Sequence, residues 1–347
     1  MKKVKHKKLW TVLAVIAAVV VLLLACNRKL VKIIARNLFQ VSIEIDEGEW
    51  EGGTSYLGVA YAEDSESQYL NLYVPDTDSG EEVPLIILVH GGGFIMNDLE
   101  SEQAVKMYQY FRDHGYACAT INYRLAQEAQ WPGAIEDVKA AVRFLRANAA
   151  AYGYSAEDFT IWGESAGGYL AVIAAVTNDD EFDGVSFIGE DEMEEPVSAE
   201  IATVIDFYGC IDFYTSADEF AAEGIPQIVI SLSNYWMDSD TMEGYESCEE
   251  YWLRSTLEEL TEEEKLLSIP TTYLEENAQD LQGLQVIIYH GLYDISVPYM
   301  QSVNLAQTAS ELLGEDAVQI TLFDGYVHAD DRLYTEEQLD ILLEQLQ

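Results

Sequence analysis

The run Asp158-Phe159-Thr160-Ile161-Trp162, the turn Gly163-Glu164-Ser165-Ala166-Gly167 and the apolar stretch Gly168 to Ala175 follow one another without a spacer. No other feature constrains the fold as strongly, because the succession reads as a short buried strand, a tight turn and a buried helix. A turn that lifts a serine hydroxyl out of such a corner crowds the backbone, so only small residues fit two positions either side of Ser165. Gly163 and Gly167 meet that requirement. Strand-like runs then alternate with helical patterns from Leu85 onward: Leu85 to Val89, Tyr116 to Ile121, Ile201 to Tyr208, Leu284 to Tyr289 and Ala317 to Phe323. Such alternation predicts a mostly parallel sheet with helices on both faces. The clearest helix is Ile135 to Ala151, where Val138, Ala141, Val142 and Leu145 make one apolar stripe and Gly153 supplies a stop. Gln68 to Val74 and Val41 to Ile45 read as earlier, partly antiparallel strands.

A serine hydroxyl is a weak nucleophile at neutral pH and needs a base, which in turn needs a group to fix its tautomer. Five histidines are available. His6 lies in a lysine-rich tail, His114 ends an amphipathic stretch from Ala104 to Arg112 where a cation suits a helix C-terminus, and His290 ends a strand and reads as structural. His328 follows the last strand-like run, within Asp324-Gly325-Tyr326-Val327-His328, and Asp294 falls just beyond the run that ends at Tyr289. The order Ser165, Asp294, His328, each past a predicted strand, makes these three the expected nucleophile, orienter and base. Asp324, Asp330 and Asp331 lie too near His328 in sequence to be favoured as orienters.

An oxyanion needs preorganised donors, and backbone amides require no side-chain ordering. Leu85 to Val89 runs into His90-Gly91-Gly92-Gly93-Phe94, whose glycines allow main-chain N–H groups to face a ligand. With the amide of Ala166, just after Ser165, the amides of this loop make a three-donor pocket, and His90 pins the loop by hydrogen bonding. These blocks, together with Asn122-Tyr123-Arg124-Leu125, Trp131-Pro132-Gly133-Ala134 and the stretch Asp137 to Val142, resemble the esterase and lipase branch of the α/β-hydrolases. That branch includes hormone-sensitive-lipase-like and feruloyl-esterase-like carboxylesterases. The resemblance covers roughly residues 40 to 345 by motif order. It implies an α/β-hydrolase fold, with a mostly parallel central sheet, helices on both faces and an inserted cap. It also implies carboxylic ester hydrolysis through an acyl-enzyme on Ser165, with Gly92, Gly93 and Ala166 as oxyanion donors and Ser165, Asp294 and His328 as the triad. Two departures bear on the substrate: the stretch from Ile211 to Gln282 matches no one subfamily, and Tyr326-Val327-His328 lacks the Gly-His pair common before the base.

Residues 1–36 carry nine Lys and Arg and no acid, which leaves 9 basic against 62 acidic groups and a formal charge of −53 on the rest. Such a field disfavours nucleic acid and polyanions, keeps the domain soluble and monomer-prone, and suits a small neutral substrate such as an ester, while a solvated, salt-adapted surface accounts for the acidity without any functional demand. Lys2, Lys3, Lys5, Lys7 and Lys8 precede the 17-residue apolar run Leu9 to Ala25, which contains one polar residue, Thr11. This is a targeting or anchoring segment, and either a cleaved signal or a retained anchor fits its length. Leu23-Leu24-Ala25-Cys26 also resembles a bacterial lipoprotein box, which makes Cys26 a lipidation candidate. The expected organisation is therefore a tail and membrane segment over residues 1–36, and a hydrolase domain over 37–347 with a cap around 211–282. The protein is expected to be membrane-anchored or secreted, with the domain outside the cytoplasm.

Cys118 reads as a buried small hydrophobe, while Cys210 and Cys248 leave a disulfide open. Metal-ligand spacings such as CxxC or HExxH are absent, so neither a metal nor any cofactor is expected. Tyr214, Phe220, Tyr235, Trp236, Tyr245, Tyr251 and Trp252 concentrate in the cap region, where most are expected to form the cap's own small core. Two other functions fit parts of the pattern: a peptidase of the prolyl-oligopeptidase type, for whose propeller domain the chain has no room, and a non-catalytic anchored interaction protein on a hydrolase scaffold.

Overall fold

Strands covered on both faces must be apolar on both sides, and the short runs seen in the sequence have that character. The computed structural model describes residues 30, 33, 34, 37, 50–77, 82–226, 229, 230, 242 and 244–347. Its strands are β1 (Gly53–Ala60), β2 (Tyr69–Pro75), β3 (Leu85–Val89), β4 (Ala117–Ile121), β5 (Thr160–Glu164), β6 (Thr203–Phe207), β7 (Gln285–Gly291) and β8 (Val318–Phe323). They form one sheet in the order β1-β2-β4-β3-β5-β6-β7-β8. β2 pairs antiparallel with β1 and β4, and every other pairing is parallel. This is the α/β-hydrolase arrangement. β1 was not legible as a strand, since Gly-Thr-Ser-Tyr-Leu-Gly-Val-Ala has little apolar patterning and sits half exposed at the sheet edge. The expected strand Val41 to Ile45 lies outside the described residues, as do the apolar run Leu9 to Ala25 and Cys26. Among the described residues no helix is long and apolar enough to cross a membrane.

Alternate residues of the central strands point to opposite faces. Ile87, Ile161, Val204 and Ile288 join one core with the helices α2 (Gly133–Tyr152) and α3 (Ala166–Val176). Ile86, Leu88, Trp162, Ile205 and Ile287 join a second core with α1 (Glu102–Asp113) and the C-terminal helix Glu336–Gln345. The expected helix Ile135 to Ala151 is α2, slightly longer at each end and stopped by Gly153 in a left-handed conformation. His114 caps α1, its Nδ1 bonded to the Tyr110 carbonyl at 2.7 Å. The Asn122 to Leu125 block anchors the sheet to α2: Arg124 Nη2 lies 2.8 Å from the Asp137 carboxylate, which also accepts from Gln68 Nε2 at 2.7 Å. Asp137 is fully buried, so these partners offset the cost of desolvating its charge.

Between β6 and β7 lie the helices α4 (Ser216–Glu223), α5 (Cys248–Leu253), α6 (Glu262–Leu267) and α7 (Pro270–Asn277). α7 packs on α3 and serves as the crossover helix a parallel connection requires, so the true insertion ends before it. The cap's aromatics depart from expectation at Trp252. Rather than joining a local core, it is fully buried in the main core, stacked on Phe94 at 4.0 Å and 11° and set edge-on to Tyr169. A short acidic insertion has too little interior to bury an indole by itself, so its largest ring docks on the domain. Tyr235 and Trp236 lie outside the described residues. A second difference concerns the boundary drawn at residue 36: Ile33 is buried in a cluster with Phe220, Ile225 and Ile295, and Asn37 Nδ2 donates to the Tyr293 carbonyl at 3.0 Å. The packing of the domain therefore takes in at least Ile33.

Candidate active site

Ser165 stands where β5 turns into α3, with φ 53° and ψ −121°. Bulky surroundings make that turn possible only with glycine on both sides. A Cβ on Gly163 would lie 2.0 Å from the Gly167 carbonyl oxygen, and one on Gly167 would lie 2.1 Å from the Val89 oxygen. The Ser165 amide donates to the Phe207 carbonyl at 2.9 Å, tying the corner to the end of β6.

Asp294 and His328 follow β7 and β8, so the topology sets a problem of reach. At about 4.8 Å per strand, β8 lies roughly 14 Å from β5 across the sheet. The loop after β8 closes that gap by folding back. Leu292 and Tyr293 amides donate to the Phe323 and Tyr326 carbonyls, and Asp330 accepts from the Val327 amide while pairing with Arg332. The three side chains thereby meet. Ser165 Oγ lies 3.0 Å from His328 Nε2, and His328 Nδ1 lies 2.7 Å from Asp294 Oδ2. Asp330 and Asp331 take no part in this contact: Asp330 holds its own loop, and Asp331 pairs with Lys106 at 2.8 Å.

The Asp294 carboxylate is buried and fully engaged. Oδ1 accepts from the Ser296 and Val297 amides at 2.7 and 2.9 Å, while Oδ2 faces His328 and, at 3.3 Å, His290 Nε2. Burial by itself would raise this carboxyl, but the charge of His328 and the hydrogen bonds from His290 and His328 outweigh it and hold the group well below the usual carboxylate range. For His328 the balance runs the other way. Burial would lower it, yet the charge and hydrogen bond of Asp294, with the charge of Glu164 added, raise it above 6.5. His290, read from sequence as structural, is buried and bonded to Ser302 Oγ at 2.7 Å, and it also touches the triad carboxylate.

Gly92 and Gly93 adopt φ 110° and 58°, and both line a cavity of about 320 Å³ together with Ser165, Ala166 and His328. His90 Nδ1 bonds the Gly91 carbonyl at 2.7 Å, its ring stacks on Tyr123, and burial pushes its pKa down to about 4, so it is neutral and acts as a loop pin. The remaining lining includes Phe94, Met96, Asn97, Gln103, Cys210, Cys248, Glu249 and Ser296. Cys210 and Cys248 are both free thiols. Backbone strain gathers here: Phe94, Asn97, Ser165 and Ala329 line the cavity with positive φ, a pattern that packing must enforce. A second cavity of about 360 Å³ lies at the opposite ends of the strands, lined by Asp158, Asp179, Glu200 and Asp280 with Thr177 and Ser198, and among the described residues its lining includes no histidine.

Sequence reasoning missed Glu164 and Tyr208. Glu164 is buried, its Oε1 accepting the Gly91 amide and its Oε2 the Tyr208 hydroxyl, each at 3.0 Å. The available signal was a carboxylate ending an otherwise apolar strand, which demands partners.

A family model described as BD-FAE matches residues 70–309. Among curated relatives, Esterase LipQ of Mycobacterium tuberculosis is 37% identical over 106 residues, covering 30% of this chain and 25% of that protein. Probable carboxylic ester hydrolase LipM of the same species is 31% identical over 157 residues, covering 45% and 34%. The matched segments thus span about a quarter to a third of these relatives. A solved structure of a truncated carbohydrate esterase from gut microbiota superposes with a TM-score of 0.65 at 23% identity, covering 86% of this chain and 98% of that one. A thermophilic esterase from Thermogutta terrifontis with propionate bound gives 0.58 at 19% identity, covering 85% and 94%. At such identities the likeness establishes the fold.

Proposed function

Since the chain belongs to the BD-FAE family, in the esterase branch of the α/β-hydrolases, we propose that it hydrolyses carboxylic esters through an acyl-enzyme on Ser165. One observation carries the reading: Ser165, His328 and Asp294 form an unbroken hydrogen-bonded relay at the mouth of a cavity. His328 Nε2 takes the proton as Ser165 Oγ attacks the ester carbonyl, and Asp294 stabilises the resulting imidazolium. The Gly92, Gly93 and Ala166 amides receive the oxyanion. Collapse of the tetrahedral intermediate expels the alcohol with the proton from His328, and a water then repeats the sequence to release the acid.

The cavity supports a small, uncharged substrate. About 320 Å³ is near the lower end for small-molecule sites, and among the described residues its lining includes Glu164 and Glu249 but no lysine or arginine. Short-chain p-nitrophenyl esters are the expected substrates, with peptide p-nitroanilides turned over more slowly. Ser165→Ala should lower kcat on p-nitrophenyl acetate by at least about 10⁴-fold and abolish labelling by a fluorophosphonate probe. Labelling that persists in that variant would overturn the assignment. The basic residues and apolar run within residues 1–36 support attachment to, or export across, a membrane. Recovery of the full chain in the soluble cytoplasmic fraction would contradict it.

A further inference from the structure

Two structures must be held in register for this chemistry, the oxyanion loop after β3 and the imidazole carried by the loop after β8. One buried side chain touches the supports of both. Glu164 Oε1 accepts the Gly91 amide at 3.0 Å, while His90 Nδ1 donates to the Gly91 carbonyl at 2.7 Å. With both polar groups of Gly91 engaged, this residue is fixed directly before Gly92 and Gly93. Glu164 Oε2 accepts the Tyr208 hydroxyl at 3.0 Å, and that hydroxyl also bonds Tyr334. The Tyr208 ring meets the His328 ring edge-on at 4.8 Å, and its backbone holds φ 46°, a conformation a bulky residue keeps only when its side chain is pinned.

We infer that Glu164 is a positioning residue for the proposed ester hydrolysis, joining the oxyanion loop through Gly91 to the base through Tyr208, with its negative charge set to favour the His328 imidazolium. Titratable groups from several elements surround that imidazole, the cavity thiols of Cys210 and Cys248 among them. Asp294 faces it from the loop after β7, with His290 behind; Tyr208 faces it from the end of β6; Glu164 stands at the end of β5; and Glu249 lines the same cavity from the insertion. Asp294 serves the Nδ1 side, whereas Glu164 directly precedes Ser165 in the chain and reaches the ring through Tyr208. Burial raises the Glu164 carboxyl, while the Gly91 amide, the charge of His328 and the Tyr208 hydroxyl favour its ionised form, and its charge is in turn among the influences that raise His328.

The inference rests on the proposed esterase reading, and a pair of variants tests it separately. Glu164→Gln keeps an acceptor for the Gly91 amide and a donor for the Tyr208 oxygen but removes the charge. Its acidic limb in kcat/KM should move to lower pH by roughly 0.5–1 unit, because the imidazolium loses a favourable neighbour. Glu164→Leu removes the Gly91 anchor as well, and should lower kcat on a short-chain ester by about 10²-fold or more with a smaller change in KM. If the leucine variant does not fold, the glutamine profile decides. A parent enzyme that labels with fluorophosphonate at Ser165, beside a Glu164→Gln variant whose acidic limb is unmoved, would overturn the role of Glu164 alone. A parent that fails to label would overturn the esterase reading beneath it.

Discussion

Ser165 holds a backbone conformation that side-chain-bearing residues rarely adopt, at a cost of about 1–3 kcal/mol. The hydrogen bond from its amide to Phe207 and the glycine contacts at 163 and 167 keep it there, which presents Oγ to His328 without a search over rotamers or loops. The neighbouring ionisations have a measurable consequence. His328 acts as a base only when neutral, and its folded-state value is raised above 6.5, so protonation sets in at higher pH than for a free imidazole. Activity should therefore fall on acidification, with the acidic midpoint of kcat/KM above 6.5; a midpoint below that value would contradict the electrostatics of the site. Asp294→Asn should leave the fold intact, since one oxygen can still accept the Ser296 and Val297 amides. The imidazole would then favour the wrong tautomer, and kcat should drop on the order of 10⁴-fold. Near-normal turnover by this variant would assign the orienting role elsewhere.

Among the elements, the insertion between β6 and β7 docks on the hydrolase core with Trp252 as its largest fully buried ring. Trp252 on α5 stacks on Phe94, which directly follows Gly92 and Gly93, and Cys248 of the same short helix lines the cavity. Packing of the insertion and shape of the site are therefore linked. Trp252→Ala should cost about 3–5 kcal/mol in urea unfolding, as removal of a fully buried aromatic does. It should also raise KM for short esters, because Phe94 loses its stacking partner. A stability within about 1 kcal/mol of the parent would show that the insertion docks by other contacts.

For the molecule as a whole the dominant fact is charge. Outside residues 1–36 the formal balance is −53, and self-repulsion of that size opposes the compact state. Salt screens it. Raising ionic strength from about 0.02 to 0.5 M should increase Tm by a few degrees, corresponding to roughly 1–2 kcal/mol of relieved repulsion. A Tm that falls or stays constant would mean that the acidic groups are compensated locally, as Asp137 is by Arg124 and Gln68.

The Ser165 turn, its glycine flanks and the parallel strands were legible in the chain, because each is a local pattern whose steric or hydrophobic demand acts over a few residues, and the placing of Asp294 and His328 just past strands followed from the same runs. β1 was not, since an exposed edge strand carries weak patterning. Two further matters depended on residues far apart in sequence. Trp252 chose the domain core over its own insertion, and Glu164 found Gly91 and Tyr208. Burial and hydrogen-bond satisfaction are settled among whichever groups the sheet order brings together, and that order places the ends of β3, β5, β6, β7 and β8 around one cavity.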